Sequence, residues 1–125
     1  MRIGIPAEIR AGETRVAATP ETVKKLTAGG KHTVVMQSGA GTGASIPDSE
    51  FVAAGATIAA SAADAYQSDI VLKVRGPEPS ELALVRRGSI VIGMLNPFDV
   101  AGIGALAQTG ATGFALEAIP RITRG

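Results

Sequence analysis

Apolar residues occur along the chain in short runs that are separated by polar, glycine-rich and proline-containing stretches. Runs rich in β-branched residues predict strands, and the segments between them carry apolar positions at helical spacing. Strands are predicted at residues 2–5, 33–36, 56–58, 69–74, 89–93 and 111–116, the third of these being a brief strand or an extended link. Helices are predicted at residues 20–27, 49–54, 62–66, 79–87 and 99–108.

The residues at the predicted helix starts support these boundaries. Thr19 is suited to cap the first helix, and Pro20 fits its first turn, where the missing N–H costs nothing. Asp48 is predicted to cap the second helix.

Strands and helices alternate along the whole chain, with connections of only a few residues. This alternation is typical of βαβ units, in which successive strands lie parallel and helices cover the sheet. The predicted fold is therefore α/β: a Rossmann-like three-layer sandwich with a mainly parallel sheet and helices on both faces. With 125 residues, the chain is predicted to form one domain.

Composition excludes several classes of function. A net charge of +1 and 3% aromatic residues do not favour nucleic-acid binding. The chain has no cysteine, which excludes disulfides and thiol nucleophiles and fits a cytosolic protein, and its one histidine, His32, is too few for a zinc site. The sequence contains no apolar run long enough to cross a membrane, and no metal site is expected.

The glycine-rich segment 38–45 follows the second predicted strand. Its glycines alternate with other residues, so that neither the GxGxxG spacing nor a following GK[ST] is present. We therefore interpret the segment as a flexible crossover from strand to helix, not as a phosphate-binding loop.

Charged and polar side chains follow several predicted strands. They are Arg15, Lys73, Asn96, Glu117, Arg121 and Arg124. Because the carboxyl ends of parallel strands meet at one edge, these groups are predicted to share a rim that suits an anionic or carbonyl-bearing ligand. The alternative is that Lys73 only extends from the strand end into solvent. His32 lies at the amino end of a strand, on the opposite rim.

Several segments together resemble the amino-terminal domain of alanine dehydrogenases and of the alpha subunit of proton-translocating NAD(P) transhydrogenases. They are 1–6 (MRIGIP) with Glu8, 13–20 (ETRVAATP), 37–41 (QSGAG), 54–56 (AGA), 72–74 (LKV) and 120–124 (PRITR). The resemblance covers nearly the whole chain.

The resemblance implies roles for three residues. Arg15 and Lys73 match the arginine and lysine that bind the substrate carboxylate in alanine dehydrogenases, but no histidine follows the strand at 89–93, where those enzymes carry a catalytic one. Arg121 matches an arginine of the transhydrogenase loop that approaches the nicotinamide ring of NAD(H). The transhydrogenase branch is therefore preferred, with Arg121 as the cofactor-binding residue, no catalytic residue, and Arg15 and Lys73 either lining a former substrate pocket or forming structural ion pairs.

The resemblance also implies partners. In the family, NAD(H) is held mainly by a second, downstream domain and NADP(H) by another component, while proton translocation requires membrane segments. The 125 residues would then be an incomplete amino-terminal domain, inactive alone and belonging to a dimeric complex at the cytoplasmic face of the plasma membrane. The expected partners are the rest of the alpha subunit and the beta subunit. Two alternatives remain open: a fragment of an alanine dehydrogenase and a non-catalytic docking module.

Overall fold

A computed structural model describes residues 1–95 and 100–116 of the chain. Within these ranges six strands form one sheet, in which every pairing is parallel. The strands are β1 (Arg2–Ile5), β2 (Thr33–Gln37), β3 (Thr57–Ala59), β4 (Ile70–Arg75), β5 (Ile90–Met94) and β6 (Thr112–Ala115), in the spatial order β3-β2-β1-β4-β5-β6. The predicted α/β class and parallel sheet are confirmed.

Five α-helices connect these strands. They are α1 (Pro20–Thr27), α2 (Asp48–Ala53), α3 (Ala62–Tyr66), α4 (Pro79–Leu82) and α5 (Val100–Gln108). The predicted cap of α1 is confirmed, because the Thr19 hydroxyl accepts the N–H of Thr22 at 3.2 Å. None of the helices in the described ranges has the length and apolar character needed to span a bilayer.

Two predicted helix boundaries are wrong. Asp48 does not cap α2: it is the first helical residue, after Pro47, and its carboxylate bonds to the preceding loop. The fourth helix ends at Leu82 and not near residue 87. There the chain turns through i→i−3 bonds from Leu84 and Val85, which brings Val85 into the core.

The strand order creates a switch point between β1 and β4. From β1 the chain runs outward through β2 to β3, then returns across the sheet to β4 and runs outward the other way to β6. The loops after β1 and β4 therefore leave the same edge in opposite directions, which opens a crevice at the carboxyl end of the sheet. This crevice is where the candidate site lies.

Two apolar clusters pack on the sheet. The first contains Ile3 and Ile5 of β1, together with Val23 of α1 and Phe51 of α2. The second contains Tyr66, Val71, Val85, Val91, Leu106 and Ala111. Alternating residues of a strand face opposite sides of the sheet, so Gly4 lies on the face opposite to Ile3 and Ile5, where α3 packs against β1.

The half of the sheet formed by β4, β5 and β6 is incompletely covered. Ile90 is 37% exposed, Phe114 is 50% exposed and Leu116, just after β6, is 47% exposed. Adjacent apolar side chains at this level of exposure are typical of a surface that contacts another polypeptide segment.

The contact between β1 and α3 gives a test of the packing. A Cβ at Gly4 would overlap the carbonyl oxygen of Ala65 and press against the Ser68 hydroxyl, whereas a Cβ at Gly104 in α5 meets open space. We expect Gly4→Ala to lower the free energy of unfolding by about 1–3 kcal/mol because the backbone of α3 must shift. Gly104→Ala, the matched control, should raise it by about 0.5–1 kcal/mol through helix propensity. Chemical denaturation of both variants measures the two changes; equal effects would contradict the close approach of α3.

Candidate functional site

Lys73 lies near the carboxyl end of β4, and its side chain is only 1% exposed. The alternative in which it extends into solvent is therefore wrong. Its ammonium group lies 3.4 Å from a Glu8 carboxylate oxygen and 3.2 Å from one of Glu81, and donates to the carbonyl oxygen of Ala7 at 3.4 Å. An ammonium has three protons, and three acceptors surround this one.

Glu8 joins the loop after β1 to the end of β4. One of its carboxylate oxygens accepts the backbone N–H of Val74 and the other that of Arg75, both at 3.0 Å. β1 pairs with β4 only at Ile70 and Val71, and the β4–β5 register shifts between Leu72 and Arg75. The Glu8 side chain thus binds N–H groups that no strand pairs, which satisfies donors that would otherwise be left buried.

Glu81 is held from the side opposite to Lys73. The buried Tyr66 hydroxyl donates to its carboxylate at 2.7 Å, and the backbone N–H of Glu78 donates to its other oxygen at 2.9 Å. Burial raises the pKa of Tyr66, and the negative charge of Glu81 raises it further, so the phenol stays protonated and remains a donor.

Glu8, Tyr66, Lys73 and Glu81 together form what we call the Lys73 cluster. The cluster ties the loop after β1, the end of β4, α3 and α4 to one point. Because its carboxylates and its ammonium are already bonded to one another, in this arrangement it offers no free donor to a ligand. Its evident physical role is to hold the crevice walls in place.

A second group of charges lies beside the crevice, on the surface. The Arg15 guanidinium binds the Glu13 carboxylate through two nitrogens, at 3.0 and 2.8 Å, and the Arg15 backbone N–H adds a bond at 3.0 Å. Arg75 donates to the same carboxylate at 3.2 Å. The bonds from Arg15, supported by the one from Arg75, lower the pKa of Glu13 to about 2.

The structure therefore places both Arg15 and Lys73 in ion pairs, on separate carboxylates. No bond joins the two residues to each other in the described ranges. Asn96, Glu117, Arg121 and Arg124 lie outside the described residues, with the exception of Glu117's predecessors in β6. His32 immediately precedes β2, at the amino edge of the sheet, as predicted.

The glycine-rich segment 38–45 does not form a nucleotide cradle. The space beside Gly43 is occupied by the Thr14 backbone, and that beside Gly41 by Ile46 and Phe51. The Asp48 carboxylate already accepts the N–H of Gly39 at 2.9 Å. These glycines permit close packing within the domain, and the described residues do not fit the pyrophosphate of a dinucleotide here.

Sequence reasoning missed the carboxylates that define the site. Glu8 and Glu13 belong to a polar loop, and Glu81 has a local role at the start of a helix. The spacing of Glu78 and Glu81 does carry a local signal, since the pair forms a capping box at α4. Nothing in the sequence indicates that the same Glu81 side chain also reaches Lys73.

Removing the ammonium group tests whether the Lys73 cluster is structural. Lys73→Met leaves two buried carboxylates without their common cation, so we expect the free energy of unfolding to fall by about 3–5 kcal/mol. Lys25→Met is the matched control: Lys25 pairs with Glu21 at 3.7 Å, both side chains are well exposed, and the change should be below about 0.5 kcal/mol. Denaturant titration of both variants measures the difference. A loss for Lys73→Met no larger than the control's would refute a structural role.

The lowered pKa of Glu13 predicts a specific response to acid. An acid with a depressed pKa in the folded state contributes stability above its unfolded pKa and loses that contribution as the pH falls toward the folded value. For Glu13 the window runs from the ordinary value of 4.5 down to about 2. Glu13→Gln should therefore be less stable than the unmodified chain at pH 6, and the gap should close by pH 2. Thermal unfolding at intervals of pH measures the gap, and a constant difference would contradict the assignment.

Comparison with known proteins follows the whole chain. Residues 4–125 match the family model described as "Alanine dehydrogenase/PNT, N-terminal domain". A relative from Rhodospirillum rubrum, an NAD(P) transhydrogenase subunit alpha, is 44% identical over 99% of this chain and 34% of its own length. An alanine dehydrogenase from Mycobacterium tuberculosis is 40% identical over 95% of this chain and 32% of its own.

Solved structures give the same pattern. The transhydrogenase from Sinorhizobium meliloti superposes with a TM-score of 0.92 at 43% identity, covering 98% of this chain and 37% of that one. An L-alanine dehydrogenase superposes with a TM-score of 0.87 at 35% identity, covering 92% and 32%. The chain spans about a third of the length of these relatives. With a family model that matches nearly every residue, the chain belongs to the alanine dehydrogenase/PNT amino-terminal domain family.

Proposed function

We propose that this domain is the first domain of the alpha subunit of a proton-translocating NAD(P) transhydrogenase. The observation that carries the proposal is the match to the transhydrogenase structure, with 43% identity and a TM-score of 0.92, against 35% and 0.87 for the alanine dehydrogenase. The complete enzyme would transfer a hydride between NADH and NADP+ and couple the transfer to proton movement.

The charges at the crevice support this branch over the other. Reduction of an imine to an amine requires a carboxylate-binding cation and a group that handles a proton. In the described residues Lys73 is enclosed by Glu8 and Glu81, and His32 lies at the opposite edge of the sheet. Direct transfer of a hydride between two nicotinamides needs alignment of two rings and no proton donor, so it places no such demand on these residues.

In this proposal NAD(H) is held mainly by a second domain that follows residue 125, and NADP(H) by the partner component. The packing of the glycine-rich segment supports that division, because its backbone is already engaged by Asp48, Thr14 and Phe51. Arg121 is proposed to donate to the nicotinamide carboxamide. Arg15 and Lys73 are proposed to be structural, as their ion pairs indicate.

The exposed apolar side chains of β5 and β6 support an association with further polypeptide. We propose that the rest of the alpha subunit covers Ile90 and Phe114. The complete assembly would be a homodimer of alpha subunits joined to a beta subunit, with this domain at the cytoplasmic face of the plasma membrane. A non-catalytic docking module is the alternative that the same surface would also serve.

One set of assays separates these functions. The gene extended beyond codon 125 is expressed with the partner subunits, and reduction of an NADP+ analogue by NADH is followed by absorbance. We expect activity with the analogue and none with pyruvate plus ammonium; the reverse result would identify an alanine dehydrogenase, and inactivity in both would favour the docking module. The 125-residue chain alone should catalyse neither reaction and should show no micromolar binding of NADH by calorimetry.

The same assay tests Arg121. Arg121→Ala in the complete enzyme should lower the rate of hydride transfer by about tenfold or more, because a charge-assisted hydrogen bond that orients the ring is lost. NADH affinity should change far less, since the second domain holds most of the nucleotide. Arg86→Ala, on the opposite rim, is the control: Arg86 pairs only with Asp69, at 3.1 Å, among the described residues.

A further inference from the structure

A tight turn follows β1 and fixes the first wall of a surface opening. The Glu13 N–H donates to the Arg10 carbonyl oxygen at 3.1 Å, and Gly12 occupies the third position of the turn with φ +79°. A positive φ at that position is what a type II turn requires, and glycine adopts it without strain. The turn thus sets Arg10 and Glu13 on the same rim, facing the end of β4.

Charge is arranged in two layers on this rim. The carboxylates lie inside, with the side chains of Glu8 and Glu13 only 3% and 7% exposed. The guanidinium groups of Arg10, Arg15 and Arg75 lie outside, at 43%, 56% and 52%. A solute that approaches the rim therefore meets cations first, although the chain as a whole carries only +1.

The outer arginines keep donors in reserve. Arg75 uses Nε on Glu13 at 3.2 Å, and its two terminal nitrogens bond to no other described residue. Arg10 uses one terminal nitrogen on the carbonyl oxygen of Gly76 at 3.3 Å and lies 3.6 Å from Glu78, a long ion pair at the surface. Each guanidinium can therefore present at least one further N–H to a ligand.

These donors border a single opening. A cavity of about 320 Å³ is lined by Arg10, Ala11, Gly12, Glu13 and Arg75. No heavy atom lies within 4 Å of where a Gly12 side chain would begin, so this wall is open. The bond from Arg10 to Gly76 brings its guanidinium to the residue next to Arg75.

We propose that Arg10 and Arg75 form a binding site for a small oxyanion, a phosphate or carboxylate group that bridges the two guanidiniums across this opening. Forked N–H donors match the oxygens of such groups and bind them through paired, charge-assisted bonds. Glu13 lies beneath the ligand with its own charge already bound by Arg15, and its bond to Arg75 orients that guanidinium. The site is separate from the Lys73 cluster and from Arg121, so it does not rest on the proposed function.

Calorimetric titration of the 125-residue chain with inorganic pyrophosphate, and separately with malonate, tests the site at constant low ionic strength. We expect saturable binding of one anion per chain, and the tighter of the two probes identifies phosphate or carboxylate as the preferred group. Binding should weaken as NaCl is raised to physiological strength, since the guanidiniums are exposed.

Matched variants locate the binding. Arg75→Gln and Arg10→Gln should each weaken the affinity about tenfold or more, as expected for loss of charged hydrogen bonds. Arg86→Gln removes an equally exposed arginine with one carboxylate partner and should change the affinity less than about twofold. Each variant is first checked for an unchanged far-ultraviolet circular dichroism spectrum, and Arg10→Gln decides the test if Arg75→Gln fails that check. Absence of saturable binding, or an equal loss in Arg86→Gln, would overturn the proposal.

Discussion

The buried contact between the Lys73 ammonium and the carboxylates of Glu8 and Glu81 is the interaction on which the carboxyl edge of this domain depends. It joins elements far apart in the chain: the loop after β1, the irregular end of β4 and the start of α4. Taking these charges out of water is costly, and the arrangement persists because backbone N–H groups and the Tyr66 hydroxyl satisfy the remaining oxygens. The geometry of the crevice walls follows from that satisfaction.

The same cluster explains how one domain serves enzymes with different reactions. A scaffold whose strongest cation is committed to internal carboxylates needs no substrate at that point to be stable. What acts on a ligand is then carried by the surface around it, including the outer arginines, or by segments beyond the described residues. This division fits a family whose members, alanine dehydrogenases and transhydrogenases, share the domain but differ in chemistry.

The sheet is covered unevenly, and the unevenness has a physical meaning. Around β1 and β2 apolar side chains are buried on both faces, by α1 and α2 on one and by α3 on the other. Around β5 and β6, Ile90 and Phe114 remain exposed. Parallel sheets are normally covered on both faces, because their strands are apolar on both sides. The domain is therefore shaped to pack against additional polypeptide, consistent with its share of about a third of its relatives' length.

The sequence by itself determined the order and type of the elements, the parallel sheet and the family, because hydrophobic periodicity and capping chemistry act over a few residues. It also predicted that Arg15 and Lys73 would lie at the carboxyl edge. It misplaced the role of Asp48 and the end of the fourth helix, where side chains bond across loops. Only the tertiary structure decided that Lys73 is buried and which carboxylates bind it, since Glu8 and Lys73 lie 65 positions apart in the sequence and meet only when β1 and β4 pair. Ion pairing over such separations depends on strand order, which local patterns do not encode.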